Sequence, residues 1–524
     1  MFFRLCLALF LLLSSSAMAG ELQELTGKLS VRIIDTISES GAYSGKRVYS
    51  LDTQAQGKLS LIISDNVLGD QELRTGISFS ALAEKQPNGS YLVSSYQTIL
   101  PHSVRSSSSG VRTVLVLRVN FSNSTVSCSS NRLEEVLVTD SSNVKDFLSE
   151  ASFEALELNF DRGNDSENDF FSVTIAANTS DTCDPDTWAT LADDAVTAQG
   201  VDPSVYDHVV YVLPSNLTCD WGGLATVACE TGCQAWIAIC DMTALYAHEL
   251  GHNFGADHST TDLDNDGVID DEYGDTSCPM GTAAEGLKHY HALHKENFGW
   301  YGNSAVQTVT DSELVLLSPT ERSALEDESE YKLARIGVPG KIFQNIALEH
   351  YYATFRRREG SYSTDLKGIY RNKVTIHRKT RTGIKTYLLD TLSPLESFAD
   401  GDTKITFLGK STDAALVWLT DSDEAVPSYS VTGHVLKKNE SPLSGNRAKA
   451  VKLTLKRAKG EKYTASLDDE GGFSFDALPA GIYKARLKVK KKKQSTYSAK
   501  MKVQYLVHIQ NGSGVELVGT VKKR

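Results

Sequence analysis

His248, Glu249, His252, Gly255 and His258 stand in the run His-Glu-Leu-Gly-His-Asn-Phe-Gly-Ala-Asp-His, and each suits a separate chemical task. On a helix, His248 and His252 project from one face, because residues four apart are neighbours there. Two imidazole nitrogens so placed can grip one Zn²⁺ at about 2.0–2.1 Å each. Glu249 is turned by about 100° from His248, so it reaches a water beside the metal rather than the metal itself. Gly255 lets the chain leave the helix through a conformation that a Cβ makes costly. That turn returns His258 as a third ligand. Three protein ligands leave a fourth position open, the arrangement of a catalytic rather than a structural zinc.

The elements that must position these residues follow from the neighbouring sequence. A helix is expected through His248–His252, and a turn rich in Pro and Gly follows at Ser277-Cys278-Pro279-Met280-Gly281. Here the chain resembles the metzincin clan of zinc endopeptidases, whose long zinc motif is followed by a methionine turn beneath the metal. Within that clan it is most similar to the gametolysin-type family. The supporting stretches are Cys219 to Ala225, the helix motif, Tyr273-Gly274-Asp275, and His294 to Trp300. The resemblance covers about residues 110–303. It implies His248, His252 and His258 as zinc ligands, Glu249 as catalytic acid/base, and Met280 as the floor of the site. Some metzincins carry a Tyr two residues after that Met; Thr282 stands there, so no tyrosine switch is expected. The mechanism so implied is attack of a zinc-activated water on a peptide carbonyl, with Glu249 moving the proton.

Between His258 and Met280 lies an acidic run. Asp262, Asp264, Asp266, Gly267 and Asp270 match the first nine positions of a calcium loop, with Tyr273 where the usual bidentate Glu would stand. Ca²⁺ is therefore expected there beside the single catalytic Zn²⁺, the alternative being a solvated acidic loop.

Arg4, the apolar run Leu5–Leu13 and Ala17-Met18-Ala19 read as an export signal over residues 1–19, too short to span a membrane. The mature chain is expected to be secreted, with no transmembrane anchor. Seven cysteines follow the signal: Cys128, Cys183, Cys219, Cys229, Cys233, Cys240 and Cys278. Their crowding into one region of an exported chain predicts disulfides with one thiol left over; a metal knuckle is the weaker alternative.

The predicted fold class is α+β and multidomain: a two-lobed metzincin-type catalytic domain at 109–303, an N-terminal β-rich domain at 20–108, and two C-terminal β-rich domains at 304–425 and 426–524. The first is either a prodomain on a cleavable linker at Arg105–Gly110 or a permanent module. No Pro-x-Cys-Gly thiolate cap is present, so latency has no assigned residue. Ala235–Ala238 is a candidate substrate-facing edge strand, and Arg356-Arg357-Arg358 reads as a solvated edge. The last module resembles a transthyretin-like or carboxypeptidase-regulatory-like β-sandwich. It holds 21 Lys and Arg against seven Asp and Glu, in a chain whose net charge is −13. Such polarity suits an anionic surface polymer, whereas export argues against nucleic acid. The function expected is a secreted zinc endopeptidase acting on proteins or glycoproteins; the rival is a non-catalytic surface adhesin, for which Glu249 would serve no purpose.

Overall fold

The computed structural model describes residues 22–37, 43–68, 73–99, 108–323, 330–338, 342–343, 346–380 and 385–524. The export signal, Cys6 and Arg105–Ser107 lie outside them. The described chain is mostly β and multidomain, with several separate sheets.

Five strands open it: β1 (Leu22–Ile37), β2 (Tyr43–Thr53), β3 (Gly57–Ile62), β4 (Ser78–Lys85) and β5 (Tyr91–Ile99). In β1 the apolar residues Leu25, Leu29, Val31 and Ile33 recur in the inward phase and are buried. Its first half pairs with β4 and its second half with β2, while β3 and β5 complete the circuit, so the sheet closes into a barrel. Closure removes most free edges.

β1 is long enough to leave the barrel. Its residues Arg32–Thr36 also pair with Thr226–Trp221 of β10 (Trp221–Thr226), antiparallel. The sheet then continues through β11 (Cys233–Ile237), β9 (His208–Val212) and β6 (Gly110–Phe121), flanked by β7 (Leu156–Asn159) and β8 (Phe170–Ile175). The middle of β6, residues 114–117, is an unbroken apolar run because both faces are covered there. Val114 and Val116 meet the core around helices Val144–Ala151 and Thr243–Phe254; Leu115, Leu117 and Val119 meet the core beneath helix Pro185–Thr197.

Two expectations change here. Ala235–Ile237 belongs to β11, an interior strand, because β10 lies outside it; the strand flanking the site is β10. Ser108 is buried rather than part of an exposed linker, donating to Phe298 O and accepting from Trp300 Nε1.

Beyond the helix Thr243–Phe254, a short strand β12 (Ser259–Thr261) joins a seven-stranded sheet alongside Thr386–Leu388. This sheet and a five-stranded one enclose the core around Tyr351, Phe355, Ile376, Phe407 and Val417. The last residues form two four-stranded sheets around Val435, Leu453, Tyr483 and Leu517. Arg356 is fully buried, not solvated: it pairs with Glu321 at 2.6 Å and donates to Ser277 Oγ and His289 O. A guanidinium offers five donors, so one buried Arg can tie three segments together.

Disulfides join Cys128–Cys240, Cys183–Cys219 and Cys229–Cys233, and Cys278 stays a buried thiol. The first closes a separation of 112 residues, which by loop-closure entropy stabilises by about 4–5 kcal/mol.

Candidate metal centre

The helix Thr243–Phe254 is buried from Ala244 onward. It ends at Gly255, whose φ of 103° is left-handed, and the amide of Ala256 closes the turn on Gly251 O at 2.9 Å. That exit carries the chain back so that His258 faces His248 and His252, with ring centroids 5.5 and 5.1 Å away.

Each imidazole has its Nδ1 committed. His248 Nδ1 lies 2.8 Å from Pro279 O, His252 Nδ1 2.8 Å from Ala256 O, and His258 Nδ1 3.0 Å from Glu272 Oε1. Those partners only accept, so each Nδ1 carries a proton; in neutral His248 and His252 that leaves the lone pair on Nε2, while His258 Nε2 meets Asp35 Oδ1. The Nε2 atoms of His248 and His252 are buried and make no hydrogen bond among the described residues. Three basic nitrogens aimed at one point, two of them without a partner, are a poor arrangement for a packed core and a good one for a divalent cation. The residues therefore fit the metal that the spacing anticipates.

Glu249 is fully buried on the adjoining face, and neither carboxylate oxygen has a hydrogen bond among the described residues. Burial, and then the charge of Asp35, hold its carboxyl well above the usual range. Room for it exists because residue 223 on β10 is Gly: a Cβ there would lie 1.8 Å from Glu249 Oε1. Met280 lies under the helix in the same way. A Cβ on Gly251 would sit 2.4 Å from its sulfur.

A fourth residue enters from the barrel. Asp35 of β1 places Oδ1 2.7 Å from His258 Nε2, and Oδ2 3.3 and 3.5 Å from the Nε2 atoms of His248 and His252. Tyr273 donates its hydroxyl to Asp35 Oδ1 at 2.5 Å. Neither role was read from the sequence. The signal available for Asp35 was a carboxylate in the inward phase of the apolar run Val31-Arg32-Ile33-Ile34. For Tyr273 there was none beyond its place before the methionine turn. Thr282, where a tyrosine switch would stand, lies against Tyr273 O.

In the acidic run, Asp262, Asp264 and Asp270 each bring an oxygen within 4.8 Å of the others, and Asp266 is not among them. The Asp266 carboxylate accepts the amide of Val268 instead. Asp262 is buried, paired with Arg378, and takes the amides of Asp266 and Gly267.

With this geometry in view, residues 113–416 match the gametolysin peptidase M11 family, more than half of the chain. The chain belongs to that family. Its members are metalloendopeptidases, which accords with the three converging imidazoles. An autolysin of Chlamydomonas reinhardtii is 33% identical over 98 residues, 17% of this chain and 14% of that protein. The matched stretch is thus far less than two thirds of that relative. Among solved structures, the group B streptococcus pilus 2b backbone protein is 13% identical and covers 40% of this chain and 78% of its own, at a TM-score of 0.14, too low to inform the fold.

Beside His248 a mostly apolar cavity opens, lined by Asp35 and Tyr43 of the barrel and by Ile239, Met242, Leu245 and Ala283. A hydrophobic side chain of a bound peptide would fit such a lining.

Proposed function

We propose that this chain is an exported, zinc-dependent endopeptidase that hydrolyses peptide bonds of extracellular or surface proteins and glycoproteins. His248, His252 and His258 hold the ion in this reading. A divalent ion so held supplies Lewis-acid polarisation of a carbonyl and brings the pKa of water toward about 7. Glu249, with both oxygens uncommitted, takes the proton of the attacking water and returns it to the leaving amine. Pro279 O, Ala256 O and Glu272 fix the three rings, and Met280 shapes the floor. The metzincin-type two-lobed cleft, with β10 above and the Ser277–Gly281 turn below, and the domain limits at 108, 303 and 425, belong to the same reading. The observation that carries it is the convergence of three Nε2 atoms whose Nδ1 partners are already spent.

The test is a proteome-derived peptide library, offered to the purified chain before and after limited proteolysis. Cleavage is expected to need both Glu249 and a divalent ion, and to vanish in Glu249→Ala and in chelator. Cleavage surviving Glu249→Ala would refute the mechanism.

Two lesser proposals accompany this one. Ca²⁺ on Asp262, Asp264 and Asp270 would stiffen the path from His258 to Met280; the melting temperature should rise with Ca²⁺, and the rise should be lost in Asp264→Ala. The basic C-terminal module would retain the enzyme on an anionic polymer. A groove there lined by Lys437, Lys438, Arg447, Lys522 and Lys523 supports that view. Binding to dextran sulfate should weaken steeply with salt. A rise in affinity for dextran sulfate with salt would exclude it.

A further inference from the structure

The barrel touches the imidazole site at several points that a mere neighbouring module would not need. We propose that it is a built-in inhibitor: Asp35 fills the fourth coordination position of the three-histidine site, while the end of β1 lies along β10 where an extended substrate would pair. This deepens the reading given above and rests on it.

The distances carry the first half. Two ligands of one tetrahedral zinc at about 2.0–2.1 Å each lie about 3.3–3.4 Å apart. Asp35 Oδ2 stands 3.3 and 3.5 Å from the Nε2 atoms of His248 and His252, and like them it has no hydrogen bond among the described residues. Both distances match the separation of ligands sharing one ion, while Oδ1 lies 2.7 Å from the third nitrogen, His258 Nε2. A carboxylate only 6% exposed is expensive to bury without a counter-charge. His258 and the Tyr273 hydroxyl engage Oδ1, and an ion shared with the imidazoles would supply the counter-charge for Oδ2.

The local backbone aims it there. The β1–β10 ladder runs Arg32↔Thr226, Ile33↔Ala225, Ile34↔Leu224 and Asp35↔Gly223, then slips at Thr36↔Trp221. A bulge beside a site re-aims a side chain, and this one falls at Asp35. The same ladder caps β10, which would otherwise be the outer strand open to a peptide backbone.

β2 then clamps the third histidine's surroundings. The Gly45 amide donates to Glu272 Oε2 at 3.0 Å, the carboxylate whose other oxygen fixes His258. Arg47 pairs with Asp257, next to His258, at 2.6 Å. Gly45 itself is required, since a Cβ would meet His258 Cε1 at 2.2 Å. Both of these β2 contacts reach a residue that adjoins or positions His258. Arg32 and Lys58 also pair with Asp186, and the Thr75 amide donates to Val227 O. Cutting the chain between Ile99 and Ser108 would leave the barrel held by noncovalent contacts alone, so it could then dissociate and open the site.

The test uses the full-length chain loaded with Co²⁺ in place of zinc. In the wild type, ENDOR spectra in H₂O and D₂O should show no exchangeable proton on a directly bound water, because a carboxylate takes that position. In Asp35→Asn and Asp35→Ala, a water signal should appear, the visible Co²⁺ bands should shift, and acetohydroxamate should bind about tenfold tighter or more than in the wild type. A bound water in the wild type, or equal spectra and hydroxamate affinity in all three proteins, would overturn the latch while leaving the three-imidazole site standing. Failure of every form to take up Co²⁺ would overturn both. The wild-type ENDOR result decides the matter even if neither variant folds.

Discussion

Two clusters of buried imidazoles lie in this chain, and only one of them leaves two Nε2 atoms without a partner among the described residues. His248, His252 and His258 spend their Nδ1 atoms on acceptors and turn Nε2 inward. The second cluster comprises His291, His294 and His377 with Cys278 and Asp275, and by composition it looks equally ready for a metal. Its nitrogens are otherwise engaged. His291 Nδ1 accepts the amide of His294, capping helix Ala292–Asn297, and its Nε2 meets the Thr386 hydroxyl at 2.9 Å. His294 Nδ1 lies 3.4 Å from Cys278 Sγ, and His377 Nε2 lies 3.0 Å from Asp275. Only His377 Nδ1 lacks a partner among the described residues. The lesson is that the accounting of hydrogen bonds, not the count of histidines, separates a site from a packed polar core.

The largest expected effect breaks the comparison if it fails. His252→Ala should lose the zinc that the wild type is expected to bind, whereas His294→Ala should retain it; metal analysis after dialysis reads both. A step smaller, Glu272→Gln weakens the carboxylate that orients His258 and should lower zinc affinity about 10–100-fold. Asp275→Asn, its counterpart on His377, should leave zinc affinity unchanged in a competition titration.

The second cluster should answer in stability instead. Asp275→Ala orphans His377 Nε2 and the Ser277 amide, at about 1–3 kcal/mol for each buried donor left alone. Gly251→Ala drives a methyl into Met280 and should cost about 1–3 kcal/mol despite the better helix propensity of Ala. Urea unfolding monitors both.

The smallest effect is in pH. Burial holds His294 down to about 3 against the opposing pull of the Asp275 and Asp257 carboxylates, while burial and then Lys295 hold His289 down to about 4. A histidine whose folded pKa is depressed binds fewer protons folded than unfolded. Its contribution is present above about pH 6.5 and is lost as pH falls toward those values. The melting temperature should therefore drop between about pH 6.5 and 4, and His294→Gln should flatten that slope.

How much of this could be read beforehand follows from the range of each interaction. The signature helix, its left-handed exit at Gly255 and the convergence of His258 are local, and spacing alone exposes them. The β-rich modules follow from short alternating runs. Asp35 lies 213 residues before His248, and nothing in the spacing of either segment points to the other. Gly223 and Gly251 look like ordinary glycines until Glu249 and Met280 are packed against them. A run of three arginines looks solvated in sequence, while the partner that buries Arg356, Glu321, is 35 residues away. The placement of β10 rather than β11 beside the site depends on strand order, which alternation does not encode.

The most direct measurement is zinc K-edge absorption on the full-length chain. The account predicts a first shell of nitrogen and oxygen only, at about 2.0–2.2 Å, with imidazole scattering from three rings. A sulfur scatterer at about 2.3 Å would place the ion against Cys278 in the second cluster and contradict it.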